Sequence, residues 1–172
     1  MMTMSHEMSI ITEIETQSEP GWDVSIVAGT CGLLTLYHTT AWAERMRDLL
    51  GYQPLFITVA EGGTPILRLL ALVCRPQSIR GFGNIARHVI PAAWRGRIGS
   101  LMWYGEPVVV GEASQEHYRD LALSLDREAR RRWLRVAAGN WPTAHEVELT
   151  GGWTPRRWGT LQVDLTRSKE NL

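Results

Sequence analysis

The residues best suited to chemistry lie in short polar segments, and none of these segments forms a complete catalytic motif. Thr39 and Thr40 stand where a helix is predicted to begin, and the backbone N–H groups of a helix N-terminus can bind a phosphate or a carboxylate. His145, Glu146 and Glu148 share a predicted short helix, but no second group of metal ligands accompanies them, so no metal site is expected. The sequence has no G-x-S-x-G elbow and no G-x-x-x-x-G-K-S/T loop, so nothing supports a serine hydrolase or an NTPase.

An arginine-rich segment is a second group of residues with functional potential. Residues 127–135 include five arginines and Trp133, a combination that could contact RNA phosphates with an affinity that falls as salt rises. Asp126 and Glu128 place acids four residues before arginines, and the whole chain balances 18 basic residues against 18 acidic ones. These charges favour a solvated helix face over RNA contact.

Length and composition indicate one globular domain. The 172 residues are enough to bury about two-thirds of the surface that an unfolded chain exposes. Cys31 and Cys74 lack metal-binding spacing, and buried thiols in a reducing compartment are favoured over a disulfide. Residues 1–14 lack the basic start and apolar stretch of a signal peptide, and the most apolar run, residues 65–74, is too short to span a bilayer. A cytoplasmic protein with no membrane span is therefore expected.

The elements that must position these residues alternate between strands and helices. Residues 1–8 are expected to be disordered, residues 9–15 to form a strand, and residues 19–28 fit neither pattern clearly. A helix capped by Thr40 ends at Gly51, and its apolar stripe is Trp42, Met46, Leu49 and Leu50. Two nearly continuous apolar runs flank Gly62 and Gly63, which predicts a β-hairpin whose strands are covered on both faces.

The second half of the chain is predicted to add short strands and the longest helix. Strands are expected at residues 100–103 and 107–110, on either side of a turn that begins at Tyr104. Ser114 is the predicted N-cap of the longest helix, and residues 133–138 are the strand after it. Residues 143–146 resemble a capping box, and the alternation in residues 160–166 predicts a half-buried strand.

This order of elements resembles a GNAT-type α/β domain, and four short phrases resemble the N-terminal half of FemAB-type acyltransferases. They are residues 36–42 (LYHTTAW) opening a helix, the glycine hairpin of residues 55–75, residues 100–107 (SLMWYGEP), and residues 151–153 (GGW) followed by 161–166 (LQVDLT). The resemblance spans roughly residue 38 to the end of the sequence and depends on the order and spacing of these phrases. It implies a GNAT-like mixed, mostly antiparallel sheet with helices on both faces.

The resemblance also implies an activity and a domain organisation. FemAB-like enzymes transfer an acyl or aminoacyl group to an amine, often on a peptidoglycan precursor, from an acyl-CoA or an aminoacyl-tRNA. No tightly bound cofactor is expected, and residues 9–172 would form a single GNAT-like domain. A second GNAT-like half, or a second copy of the chain in a homodimer, would supply the donor site, so the domain could be inactive alone.

The residues that the resemblance places in an acceptor groove are His38, Thr39, Trp42, Trp103 and Tyr104, with Glu106 as a catalytic base. Burial would raise the pKa of the Glu106 carboxyl toward neutrality and suit it to accept a proton from an amine. Each residue also has a purely structural interpretation. Trp42 would then be a core residue, Glu106 a solvated turn residue and His38 a helix cap.

The nearest match to a GNAT pyrophosphate loop, whose pattern is R/Q-x-x-G-x-G, is residues 78–83 (SIRGFG). Arg80, Gly81 and Gly83 would contact the CoA phosphates there. Ser78 stands at the Arg/Gln position, so a flexible loop is the alternative. A self-sufficient N-acetyltransferase that uses acetyl-CoA would need this loop, whereas a non-catalytic binding or scaffold module would not.

Overall fold

In the computed structural model, the described residues are 9–29, 35–76, 88–89, 91 and 98–138. Several predicted features therefore lie outside them. These are Cys31, the candidate CoA loop with Arg80, Gly81 and Gly83, the capping box of residues 143–146, the acidic helix with His145, and the strand of residues 160–166.

The described part of the chain is built on one mixed sheet. Its strands are β1 (Ile10–Glu15), β2 (Gln53–Glu61), β3 (Thr64–Cys74), β4 (Ser100–Trp103), β5 (Val108–Val109) and β6 (Arg135–Ala138). The spatial order is β1-β2-β3-β4-β6, and β5 also pairs with β3. Every pair is antiparallel except β4 with β6, which is parallel.

Helices cover both faces of this sheet. The helical segments are α1 (Trp22–Ala28), a 3₁₀ turn (Thr35–His38), α2 (Thr40–Leu50) and α3 (Gln115–Arg131). Leu67 and Leu69 pack on the α3 side, and Leu70 packs on the opposite side with α1 and α2. Because successive side chains of a strand point to opposite faces, two-sided cover explains why β3 is apolar at almost every position. The predicted fold class, a mostly antiparallel sheet between helices, is confirmed.

The hairpin between β2 and β3 follows directly from its turn residues. Gly62 has φ 56° and Gly63 has φ 82°, so both central positions of the turn require positive φ. A primed turn with this geometry matches the twist of the flanking strands, and glycine adopts it without steric cost. The predicted hairpin is confirmed.

Two predictions about α2 differ from the structure, and a segment that the sequence left undecided is helical. Trp22–Ala28, which the sequence pattern left undecided, is helix α1. The N-cap of α2 is Thr39 rather than Thr40, because Thr39 Oγ1 accepts a hydrogen bond from the Trp42 N–H at 3.2 Å. The predicted apolar stripe of α2 is also only partly buried, since its core contacts run through Ala43 and Met46 while Leu49 is exposed.

Replacing this cap gives a direct test of where α2 begins. Thr39→Ala is expected to lower the free energy of unfolding by about 1 kcal/mol, because the Trp42 N–H loses its acceptor. Urea titration measures the change. Thr64→Ala, at an exposed position at the start of β3, is the matched control and should change stability by less than about 0.5 kcal/mol.

Helix α3 forms as its sequence predicts. Ser114 is its N-cap, and Tyr118, Leu121 and Leu125 are buried against the sheet. Arg130 Nε lies 2.8 Å from Asp126 Oδ2, as the i,i+4 spacing predicts. None of the helices among the described residues has the length and apolar character needed to cross a bilayer.

Candidate functional site

The sheet is interrupted where β4 gives way to β5. In the pairing with β3, Ala71 lies opposite Trp103 and Arg68 lies opposite Val108. Two residues of β3 therefore face four residues of the other segment, residues 104–107, which we call the Tyr104 turn. Gly105 within it has φ 89°. Such bulges re-aim side chains and are common beside active sites.

The Tyr104 turn follows the carboxyl end of β4. This strand is parallel to β6, and α3 makes the crossover between them. In open α/β sheets, ligands bind beyond the carboxyl ends of parallel strands, next to the connections that leave them. The turn therefore lies where the topology is most suited to a binding site.

His38 fills the gap that the turn opens in the sheet. Its Nδ1 accepts a hydrogen bond from the Leu70 N–H at 3.1 Å, and the residue is fully buried. The Val110 N–H donates to the Ile66 carbonyl at 2.9 Å, so the even-numbered residues of β3 direct their backbone groups toward β5. Opposite the Tyr104 turn this partner strand is missing, and the imidazole takes its place at Leu70.

The same contacts fix the protonation state of His38. Because Nδ1 accepts a hydrogen bond, the neutral ring carries its proton on Nε2. Burial lowers the pKa of His38 to about 4, although the backbone carbonyl of Glu106 acts in the opposite direction. Within the described part of the chain, Nε2 makes no hydrogen bond of standard geometry. His38 is thus a neutral link between β3 and the Tyr104 turn at physiological pH, rather than an acid or a base.

Three aromatic rings meet beside the turn. The centroids of Tyr37 and Trp42 are 4.9 Å apart, those of Tyr37 and Tyr104 are 5.6 Å apart, and those of Trp42 and Tyr104 are 6.0 Å apart. Tyr104 is 39% exposed. The Trp42 Nε1 atom is buried and has no hydrogen-bond partner among the residues that the structure describes. A buried donor without a partner is costly, so this N–H is available to an acceptor group on a ligand.

Sulfur atoms border the other side of Tyr104. Its hydroxyl contacts Met102 Sδ at 3.6 Å. A hydrogen bond with Cys74, together with burial, raises the pKa of Tyr52 to about 12. Cys74 is a free, half-buried thiol. The Tyr52 phenol beside Cys74 therefore stays neutral at physiological pH.

The two threonines at the start of α2 are already engaged. Thr39 Oγ1 donates to the Leu36 carbonyl at 2.8 Å, and the Thr40 N–H donates to Asp23 Oδ1 at 2.8 Å. The Thr40 hydroxyl also contacts the Asp23 carboxylate. A carboxylate from α1 thus occupies the helix N-terminus, and the geometry does not support the predicted anion site at Thr39 and Thr40.

The remaining predicted residues divide between the site and the core. Trp103 is buried on the α3 side of the sheet, so its side chain lies away from the aromatic rings around Tyr104. Met102, the residue before it on β4, points to the opposite face of the sheet because side chains alternate along a strand, and its sulfur contacts Tyr104 there. Glu106 is half-buried in the turn. Tyr37 lies within the phrase LYHTTAW but was not singled out, and Asp23 lies in the segment that the sequence pattern left undecided. Only the fold brings these two residues to the site.

No cluster of three or more metal-binding side chains occurs among the described residues. A shallow depression, open to solvent and with room for about one water molecule, lies between β1 and α1 and is lined partly by Glu13, Glu15 and Glu19. Glu19 is paired with the buried Arg68, whose guanidinium lies 4.9 Å from the centre of the Trp22 ring. These contacts hold α1 against β3.

Comparisons with known proteins identify no family for the chain. No protein-family model matches it, and neither does any curated protein. Among solved structures, the crystal structure of the AHL synthase LasI is similar with a TM-score of 0.35 and 8% sequence identity. The match covers 74% of this chain and 69% of that chain. A TM-score this low carries no argument about function, so the site has to be interpreted from its own geometry.

Proposed function

We propose that the chain is an acyltransferase domain of the GNAT type that holds an amine acceptor at the Tyr104 turn. The observation that carries the proposal is the break in pairing between β4 and β5 at the carboxyl end of the parallel β4–β6 pair. The break brings His38, Trp42, Tyr104 and Glu106 together. The finer part of the proposal is that the domain acts as the acceptor half of a FemAB-type enzyme.

The turn offers backbone groups that suit acyl transfer. The strand register leaves residues 104–107 outside the ladder with β3, so the N–H groups of Tyr104, Gly105 and Glu106 are not committed to that strand. Pro107 has no N–H group to offer. Backbone N–H groups aimed at the reacting carbonyl can stabilise the negative charge that develops on its oxygen. Across from the turn, the His38 imidazole accepts a hydrogen bond from the Leu70 N–H and so fixes the position of β3 there.

The proposed reaction is direct attack by a primary amine on the acyl carbon of a thioester or an aminoacyl ester. A C–N bond forms while the C–S or C–O bond of the donor breaks. The Glu106 carboxylate accepts the proton that the amine loses, and this proton then passes to the leaving thiolate or alkoxide. Tyr104 and the Trp42 N–H contact the acceptor, and a peptidoglycan-precursor amine is the acceptor class that the FemAB resemblance implies.

Glu106 is tested by its amide variant. With acetyl-CoA and a panel of primary amines, release of the CoA thiol by Glu106→Gln is expected to fall about 100-fold relative to the native chain, a size typical of losing a general base. Glu112→Gln removes the same charge from an exposed position just beyond β5 and should leave the rate unchanged. Where the native chain releases CoA thiol, alone or with a second GNAT-like half added, an equal rate for Glu106→Gln would exclude Glu106 as the base.

Calorimetry separates the versions of the proposal. An acceptor half binds the amine without turnover, loses affinity in Tyr104→Ala and gains transfer when a second GNAT-like half is added. A self-sufficient N-acetyltransferase releases CoA thiol on its own, and the predicted contacts of Arg80, Gly81 and Gly83 with CoA belong to this version. A chain that binds neither millimolar amine nor millimolar CoA is a scaffold module, and the proposal is then wrong.

A further inference from the structure

Trp133 has a conformation and an exposure that folding alone does not explain. It follows the C-cap of α3 with φ 57°, and among the described residues it is the one position other than glycine with positive φ. The Leu134 N–H donates to the Ala129 carbonyl at 2.8 Å, and the Trp133 N–H donates to the Arg130 carbonyl at 3.0 Å. This pattern closes a helix in the Schellman manner, and its left-handed position usually holds glycine.

The Trp133 side chain is also directed into solvent. It is 65% exposed, whereas the next residue, Leu134, is buried against Ala129 in the core. The backbone therefore closes the helix and returns to the sheet through Leu134. A glycine at 133 would serve this closure with less strain, so the turn itself does not require a tryptophan.

Arginines surround this tryptophan. The side chains of Arg127, Arg130 and Arg131 are between 68% and 73% exposed. Arg130 and Arg131 lie three and four residues after Arg127 on α3, so each of them is a neighbour of Arg127 on the helix surface. Arg135 is exposed at the start of β6. We call Trp133 and these four arginines the Trp133 surface.

Nearby carboxylates reduce the charge of the Trp133 surface but do not cancel it. The acids against these arginines are Asp120, Asp126 and Glu128. A hydrogen bond from Arg131 is the main reason that the pKa of Glu128 is lowered, so Glu128 stays ionised. Counting Arg132, this region holds five arginines against these three acids, a formal excess of two positive charges. Two arginines in the last turn are explained by the helix dipole, but the exposed tryptophan is not.

We propose that the Trp133 surface binds single-stranded nucleic acid, with a base stacked on the indole and phosphates on the arginines. Positive charge beside an exposed aromatic ring is the combination that single-strand binding uses, since every base has a face that can stack. An acidic protein would be attracted by the charge alone and would gain nothing from the indole. The inference is independent of the activity proposed for the Tyr104 turn. The paired charges of α3 by themselves favour a solvated helix face over RNA contact. The strained, exposed Trp133 beside them is the observation that favours RNA binding.

The test measures binding of a fluorescein-labelled 12-nucleotide RNA to the complete chain by fluorescence anisotropy at several salt concentrations. Trp133→Gly is expected to weaken binding about tenfold or more, because one base loses its stacking partner. The same variant should melt about 2 °C higher, because the strained position is relieved. Trp133→Phe keeps an aromatic face and should bind within about threefold of the native chain.

The arginines have their own readout. Arg131→Gln should reduce the slope of log affinity against log salt by about 0.7, the value for one phosphate contact on a single strand. Arg47→Gln, at an exposed position on α2 across the sheet, is the matched control and should leave affinity and slope unchanged. The proposal is overturned if the native chain does not bind RNA at 50 mM salt. It is also overturned if Trp133→Gly binds as the native chain does, or if poly-glutamate of equal length binds equally well.

Discussion

Replacing His38 by leucine is expected to lower the free energy of unfolding by about 2–4 kcal/mol. Leucine has a similar volume but leaves the buried Leu70 N–H without an acceptor, and an unsatisfied buried donor costs about 1–3 kcal/mol. The contact between the ring and the Glu106 carbonyl is lost as well. His38→Asn presents a carboxamide oxygen to Leu70 and is expected to recover about half of the loss.

Urea unfolding and amide hydrogen exchange check this expectation together. Exchange at the Leu70 amide should accelerate in His38→Leu and stay slow in His38→Asn. The exposed His88 supplies the control, since His88→Leu should change stability by no more than about 0.5 kcal/mol. Native stability in His38→Leu, with Leu70 still protected, would show that the imidazole does not replace the missing strand.

We also expect the native chain to lose stability in mild acid because of His38. His38 has a pKa of about 4 in the folded chain against 6.5 in the unfolded chain. Above pH 6.5 neither state binds the proton, so the full stability is present. Between pH 6.5 and 4 the unfolded state binds a proton that the folded state excludes, so stability falls as pH falls. Across this window the loss is on the order of 3 kcal/mol, at about 1.4 kcal/mol for each pH unit.

Comparing pH 7 with pH 5 isolates this effect from the carboxylates. At pH 5 the native chain should have lost about 2 kcal/mol. His38→Asn carries no titrating ring and should lose much less over the same interval. Nitrogen NMR of the His38 imidazole should show an unprotonated Nδ1 and a protonated Nε2 down to pH 5. Equal pH dependence of the native chain and His38→Asn would contradict a lowered pKa at this residue.

Local sequence patterns predicted those parts of the fold that local chemistry determines. The hairpin follows from Gly62 and Gly63, and α3 follows from its N-cap at Ser114 and its apolar stripe. Helix α1 has only seven residues, too few to form from its own propensity. It is held by long-range contacts, such as the hydrogen bond from Trp22 Nε1 to the His38 carbonyl at 2.6 Å. No periodicity in its own sequence could reveal those contacts.

The candidate site was predicted only in part, because it too depends on contacts between residues that are far apart in sequence. His38, Trp42 and Tyr104 were singled out, and the structure brings them together at the Tyr104 turn. The role of His38 depends on Leu70, which is 32 residues away in sequence. Trp103 was included because it precedes Tyr104, but strand alternation places it in the core on the other face. Patterns along the chain give residue types, whereas the register of the sheet decides which of them meet.

The most direct test of the acyltransferase account is residue-resolved amide hydrogen exchange at the Tyr104 turn. The complete chain is measured with and without saturating acetyl-CoA and a primary amine such as lysine methyl ester. The account predicts that exchange at Gly105 and Glu106 slows at least tenfold with ligand. Exchange at the distant hairpin residues Gly62 and Gly63 should not change, and Tyr104→Ala should lose the protection at the turn. Unchanged exchange at Gly105 and Glu106, at concentrations where calorimetry detects binding, would place the ligand elsewhere and contradict the central claim.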